Sequence, residues 1–117
     1  MEMTGASILI VEDEAMIAMM MADMLSDAGY RISEADSPAA AFALIEQQGL
    51  PDLVISDQSM PGMTGAEMAG ELIERHGPLP VLITSGYAMS GDFPYPALQK
   101  PFGEADLLAE VRKLLGE

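Results

Sequence analysis

The stretch "DLVISDQSMPGMTG", residues 52–65, is apolar through Leu53, Val54 and Ile55 and then stops at Ser56 and Asp57. Met60-Pro61-Gly62 turns the chain, and Thr64-x-x-Glu67 has the form of a capping box that opens a helix. A short strand, apolar on both faces, therefore ends on a carboxylate and feeds directly into a helix. This step decides the fold, because the rest of the chain repeats it.

On either side, Ile8–Val11 and Val81–Ile83 read as strands buried on both faces, with Tyr30–Ala35 as a weaker strand and Ala97–Gln99 as a fifth. Helical patterns lie between and after them, at Glu14–Ala28, Pro38–Gln48, Gly65–His76 and Glu104–Leu115. Ser37-Pro38 puts proline at a first helical position, while Gly29 and Gly116 stand just past helix ends. In the last helix Leu107, Leu108, Val111, Leu114 and Leu115 form one stripe. Alternating β and α elements with continuously apolar strands predict an α/β fold, a parallel sheet covered on both faces. Such sheets bind ligands at the carboxyl ends of their strands.

One domain is expected from 117 residues, half of them apolar. Five basic against 19 acidic residues leave a net charge of −14, which repels phosphate backbones and anionic lipid. Nucleic-acid binding and membrane binding are therefore not expected, whereas a metal cation or a protein partner is easily accommodated. The start "MEMTGAS" lacks the pattern of a signal peptide, and the longest apolar stretch, around 15–22, is too short to span a bilayer. A cytoplasmic location is the expectation. The absence of cysteine excludes thiol chemistry.

The residues that follow each strand converge on one rim. They are Glu12 and Asp13, then Asp57, then Thr84, Ser85 and Gly86, then Lys100 before Pro101. Carboxylates so close repel one another, and one lysine does not balance three acids. A hard divalent ion with oxygen ligands, Mg2+, resolves the conflict, held by Glu12, Asp13, Asp57 and a backbone carbonyl near Ser59. Metal, lysine and hydroxyl together suit a tetrahedral dianion, and a carboxylate can be the nucleophile that forms an aspartyl phosphate. Asp57 is the best-placed candidate.

The pieces "ILIVEDE" (8–14), "DLVISDQSMPGMTG" (52–65), "PVLITSGY" (80–87) and "KPF" (100–102), in this order, resemble the receiver domains of two-component response regulators. The resemblance covers residues 1–117 and implies a doubly wound, flavodoxin-like sheet of five parallel strands in the order 2-1-3-4-5. It makes Asp57 the phosphoacceptor, Glu12 and Asp13 the acidic pair, Lys100 the phosphate-sensing lysine and Ser85 the switch hydroxyl. Ser85 fits that slot better than Thr84, lying five residues after Pro80 and before a small residue. The implied donor is a phosphohistidine on a histidine kinase or histidine phosphotransfer protein. Such a domain catalyses only its own phosphorylation and dephosphorylation. Two other readings of the chain are a scaffold of the same fold that is never phosphorylated, and an aspartate-nucleophile phosphatase. The intact Asp13, Asp57, Ser85 and Lys100 set disfavours the first. Phosphatases usually carry an acid where this chain has Ser59, which disfavours the second.

In the family, partners dock on the first helix and the following-lysine turn, here Ala15, Met16 and Met19 with Pro101 and Phe102. Ile17, Met20, Met21, Met24 and Leu25 are expected in the core, and Ala15, Met16, Ala18, Met19 and Ala22 on the other faces. His76 sits in a last helical turn, where it complements the helix dipole, and no chemistry is assigned to it.

Three departures from the family stand out. Ala97 replaces the usual aromatic three before the lysine, and Ser59 and Tyr87 occupy variable positions flanking the site. Only 14 residues separate Ser85 from Lys100, and Gly91, Pro94 and Pro96 lie among them. A three-turn helix of about 11 residues and a strand do not both fit there. The family's fourth helix is therefore predicted to be missing or about one turn long. Because the family's dimer face is built largely on that helix, a monomer is expected.

Overall fold

The computed structural model describes residues 5–117. Five strands form one parallel sheet: β1 (Ser7–Val11), β2 (Arg31–Ala35), β3 (Leu53–Asp57), β4 (Val81–Ser85) and β5 (Ala97–Gln99), in the order β2-β1-β3-β4-β5. Four helices connect or follow them: α1 (Ala15–Asp27), α2 (Pro38–Gln48), α3 (Gly65–His76) and α4 (Glu104–Leu115).

Strand alternation divides the core in two. Leu9, Val11, Val54, Val81 and Ile83 face one way and pack with Ala41 and Ile45 of α2 and Met68, Ala69 and Leu72 of α3. Ile8, Ile10, Leu53, Ile55 and Leu82 face the other way, against Met21 and Leu25 of α1 and Leu107 and Val111 of α4. Each such side chain removed from water contributes about 1.5–3 kcal/mol. β1, β3 and β4 are thereby buried on both sides, as their unbroken apolar runs require. β2, at the sheet edge, buries only Ala35 fully, which accounts for its weaker pattern.

Helix starts follow their punctuation. The Ser37 hydroxyl accepts from the Ala40 amide at 3.1 Å with Pro38 at the first helical position. The Thr64 hydroxyl accepts from the Glu67 amide at 3.1 Å, and the Glu67 carboxylate accepts from the Thr64 amide at 2.9 Å.

No helix lies between β4 and β5; the 11 residues 86–96 form turns and bends. Their aromatic residues occupy the vacant flank. Phe93 and Tyr95 meet edge to face at 6.1 Å between ring centroids and pack on the α2–α3 half of the core. The Tyr95 hydroxyl lies beside Gly70 of α3.

α1 differs from expectation in its rotation. Its fully buried line is Ala18, Met21 and Leu25, so Ala18 is inside while Met20 is 52% exposed. The helix packs on β1 and β2, with Ala18 on the side that meets Glu34 and Ala35. Met16 and Met19 are exposed as expected, at 72% and 56%.

The junction between β3 and α3 is tight. The Gly65 amide donates to the Gln58 carbonyl at 3.1 Å, and a Cβ at Gly65 would collide with the backbone carbonyl of Asp57. That neighbour is strand backbone and has no room to yield. Gly65→Ala is therefore expected to destabilise the fold by about 2 kcal/mol or more, read as a shifted midpoint in urea unfolding; an unchanged midpoint would refute the tight junction.

Candidate functional site

Three chain segments deliver charge to the carboxyl edge of the sheet. Asp57 is the last residue of β3 and is 6% exposed; Glu12, one past β1, is 2% exposed. Glu12 shares the strand parity of Ile8 and Ile10, so its side chain enters the α1–α4 face of the sheet. Lys100, one past β5, reaches both acids: its Nζ donates to Glu12 Oε1 at 3.1 Å and lies 3.5 Å from Asp57 Oδ1. The backbone fixes the lysine, since its amide donates to the Ser85 carbonyl at 2.7 Å. Asp13 is exposed, yet Glu12, Asp13 and Asp57 each offer an oxygen within 4.8 Å of the others.

The buried Glu12 and the half-buried Lys100 respond differently to this setting. Burial pushes the Glu12 carboxyl above its ordinary 4.5, although the Glu14 amide and Lys100 pull it back. For Lys100, burial works to lower the pKa, but the hydrogen bond and charge of Glu12, with Asp57, outweigh it and the net direction is upward. The ammonium is thus firmly held, while the acids remain under-compensated.

The hydroxyls divide between the faces. Ser85 has the parity of Val81 and Ile83, and its Oγ accepts from the Tyr87 amide at 3.2 Å. Thr84 has the parity of Leu82 and is paired in register with Asp57; its Oγ1 is buried without a hydrogen-bond partner. Ser59 is exposed, and its Oγ meets the Tyr87 hydroxyl at 3.2 Å, joining the loops on either side of Asp57. That contact was not foreseen from sequence, because nothing local links residues 28 apart. Ala97 is exposed on β5, and no aromatic ring lies at that position. A cavity of about 150 Å³, lined by Ile17, Met20, Met21, Met24 and Lys100–Phe102, joins α1 to the Lys100-Pro101-Phe102 turn.

An all-oxygen, net-negative donor set at one rim fits a hard divalent cation, not a soft one. The sequence model of the response regulator receiver domain matches residues 8–112. The chain belongs to this family. It is 30% identical over 115 residues to the response regulator receiver protein CpdR of Brucella abortus, covering 92% of this chain and 95% of that one. It is 33% identical over 119 residues to the sensor kinase CckA of the same organism, covering 95% of this chain but only 13% of CckA. The receiver fold thus matches nearly all of one relative and a small part of another. Among solved structures, the response regulator TrrA of Thermotoga maritima in complex with Mg(2+)-BeF aligns with a TM-score of 0.83 at 29% identity, covering 93% of this chain and 98% of that one. Receivers are signalling modules of two-component systems, with an acidic pocket for Mg2+, and the cluster here fits that pocket. Among the described residues no helix is long and apolar enough to cross a membrane.

Two measurements check the electrostatics. A cation that binds only the folded receiver should stabilise it by about 1.4 kcal/mol at ten times its Kd, and Asp57→Asn or Asp13→Asn should lose most of that gain. Magnesium titrations followed by thermal melts decide this, and equal gains in wild type and variants would remove the site. The second concerns Glu12 without metal. Its folded pKa is raised, so the folded state holds the proton more tightly than the unfolded chain does. The associated stability is present at low pH and is lost as pH rises through the folded pKa. Glu12→Gln should therefore gain stability relative to wild type between pH 4.5 and neutrality, and a constant difference across that range would contradict the buried, under-compensated carboxylate.

Proposed function

We propose that this receiver, over residues 1–117, accepts a phosphoryl group on Asp57 from phosphohistidine in a magnesium-dependent reaction. Residues 1–4 of that span fall outside the described structure. The donor is a histidine kinase or histidine phosphotransfer protein. One observation carries the reading: of the two buried carboxylates in the cluster, Glu12 spends both oxygens, on Lys100 and on the Glu14 amide, whereas Asp57, at the end of β3, has the ammonium beside it at 3.5 Å.

In this reading a carboxylate oxygen of Asp57 attacks phosphorus in line. The P–O bond forms as the P–N bond to the donor imidazole breaks, and the imidazole leaves with the electron pair. Glu12, Asp13, Asp57 and the Ser59 carbonyl would hold Mg2+, which would supply neutralisation of charge on the transferring group. Lys100 Nζ shifts from the Asp57 carboxylate to a phosphoryl oxygen, a short move because it already lies beside that carboxylate. Ser85 is the switch hydroxyl. Turning its Oγ toward the phosphoryl group gives up the bond from the Tyr87 amide and frees the 86–96 loop. Turnover is confined to phosphorylation and dephosphorylation of the domain itself.

The partner docks where α1 meets the turn after β5. Ala15, Met16, Met19 and Pro101 are exposed there, and Phe102 flanks the adjoining cavity. Without a helix between β4 and β5 the dimer face of the family is incomplete, so the domain works as a monomer, in the cytoplasm with its donor.

Incubation with magnesium and acetyl phosphate should add one phosphoryl mass to the wild type and none to Asp57→Asn. Undiminished labelling of that variant would sink the assignment. Lys100→Ala should still fold and bind beryllofluoride weakly, but its amide NMR shifts should no longer spread into residues 86–96 on binding. A wild-type shift pattern in Lys100→Ala would contradict its role. Small-angle scattering should give a monomer mass with and without beryllofluoride.

A further inference from the structure

Thr84 is the one buried polar side chain near the site whose hydrogen-bonding capacity goes unused among the described residues. It is fully buried, and a buried hydroxyl left unpaired costs stability relative to a paired one. Valine has nearly the same shape and would avoid that penalty. Packing and strand propensity alone therefore favour valine here, and the hydroxyl calls for a use.

Its surroundings indicate which. Thr84 stands in register with Asp57 on β3 and with Leu98 on β5, and residues in register in a parallel sheet face the same way. Asp57 and Leu98 belong to the α1–α4 face, as Leu82 shows for β4. Lys100 starts one residue past β5, yet its Nζ reaches Asp57 on β3 and Glu12 beyond β1. To do so its side chain crosses β4 on this face. The last β4 side chain on that face is Thr84, since Ser85 turns to the opposite side and Gly86 has none. An ammonium carries three donors. Two are accounted for by Glu12 at 3.1 Å and Asp57 at 3.5 Å. Lys100, with a third donor beyond those two contacts, and Thr84, whose hydroxyl has no partner, thus lie on the same face of the sheet.

We propose that Thr84 is a positioning residue for Lys100: its Oγ1 accepts the third ammonium proton once the lysine turns to the phosphoryl group. The inference rests on the phosphoacceptor reading of Asp57. Phosphorylation changes the carboxylate that Lys100 leans on, and the hydroxyl supplies a neutral contact that does not change with it. A neutral acceptor also suits the place better than another acid, which would add to the repulsion already present. Ser85 contacts the phosphoryl group itself, whereas Thr84 acts only through the lysine.

Thr84→Val and Thr84→Ser separate the outcomes. In the unliganded protein Thr84→Val should melt higher than wild type, because the unpaired hydroxyl is gone. With magnesium and beryllofluoride it should bind about tenfold more weakly, the loss expected for one hydrogen bond to a charged group. Thr84→Ser, which keeps the hydroxyl, should restore binding to within about twofold of wild type. In the beryllofluoride state the Lys100 ammonium protons should exchange with water faster in Thr84→Val than in wild type. Wild-type affinity and ammonium exchange in Thr84→Val would overturn the inference and leave the hydroxyl as an uncompensated cost. Failure of wild type to bind beryllofluoride would overturn the phosphoacceptor reading, and this inference with it. The two failures are distinguishable, because only the first leaves a wild type that binds.

Discussion

Everything at the carboxyl edge depends on one ammonium held among carboxylates. Two unit charges 4 Å apart attract by about 4 kcal/mol at an effective dielectric of 20, while removing each from water costs several kcal/mol. The Lys100 contacts with Glu12 and Asp57 therefore come close to breaking even as a source of stability. Their cost is met by the rest of the fold, by the two apolar layers and the tight β3–α3 junction. What they achieve is placement. Lys100 reaches Asp57 only because β5 lies beside β4 and β4 beside β3, and because its amide is tied to the Ser85 carbonyl.

The same arithmetic explains why a cation suits this rim. Glu12 is buried and its carboxyl is pushed toward the neutral form despite the lysine. Asp13, by contrast, stays in solvent at the mouth of the cluster. An arriving cation would thus meet one solvated acid before two buried ones. Relief of repulsion then drives binding as much as new attraction does, and the metal-free fold is left strained where the chemistry is proposed to happen.

The fold was largely legible because its signals are local and repeated. Apolar runs of strand length, Thr64-x-x-Glu67, Ser37-Pro38 and the glycines past helix ends each encode one boundary, and no long-range contact overrides them. The members of the acidic cluster were legible for the same reason, since each follows a strand. Their pairing was harder to read. Glu12 takes the lysine rather than Asp13, and only the alternation set by Ile8 and Ile10 distinguishes these adjacent acids. The rotation of α1 was misjudged because methionine and alanine both suit a core. Which of Ala18 and Met20 is buried depends on how the helix is rotated against β1 and β2, which no local pattern records. The Ser59–Tyr87 contact closes across two loops and left no trace in the sequence.

The missing helix between β4 and β5 shifts the consequences of the site elsewhere. A crossover helix would cover the α2–α3 side of β4 with its own apolar face; here Phe93 and Tyr95 cover it with two side chains. Such a cover is small, and the segment's few backbone hydrogen bonds include Phe93 to Ser90 and Ile83 to Pro96. A segment with so little buried area opens at lower free energy than the sheet beneath it. It is tethered near the site by Tyr87, through the Ser85 and Ser59 hydroxyls. A change at Asp57 would therefore act first on a segment that is only lightly covered. In a receiver with a full helix the same input would have to move a packed cylinder. Here it needs only to free one tyrosine and loosen one aromatic pair.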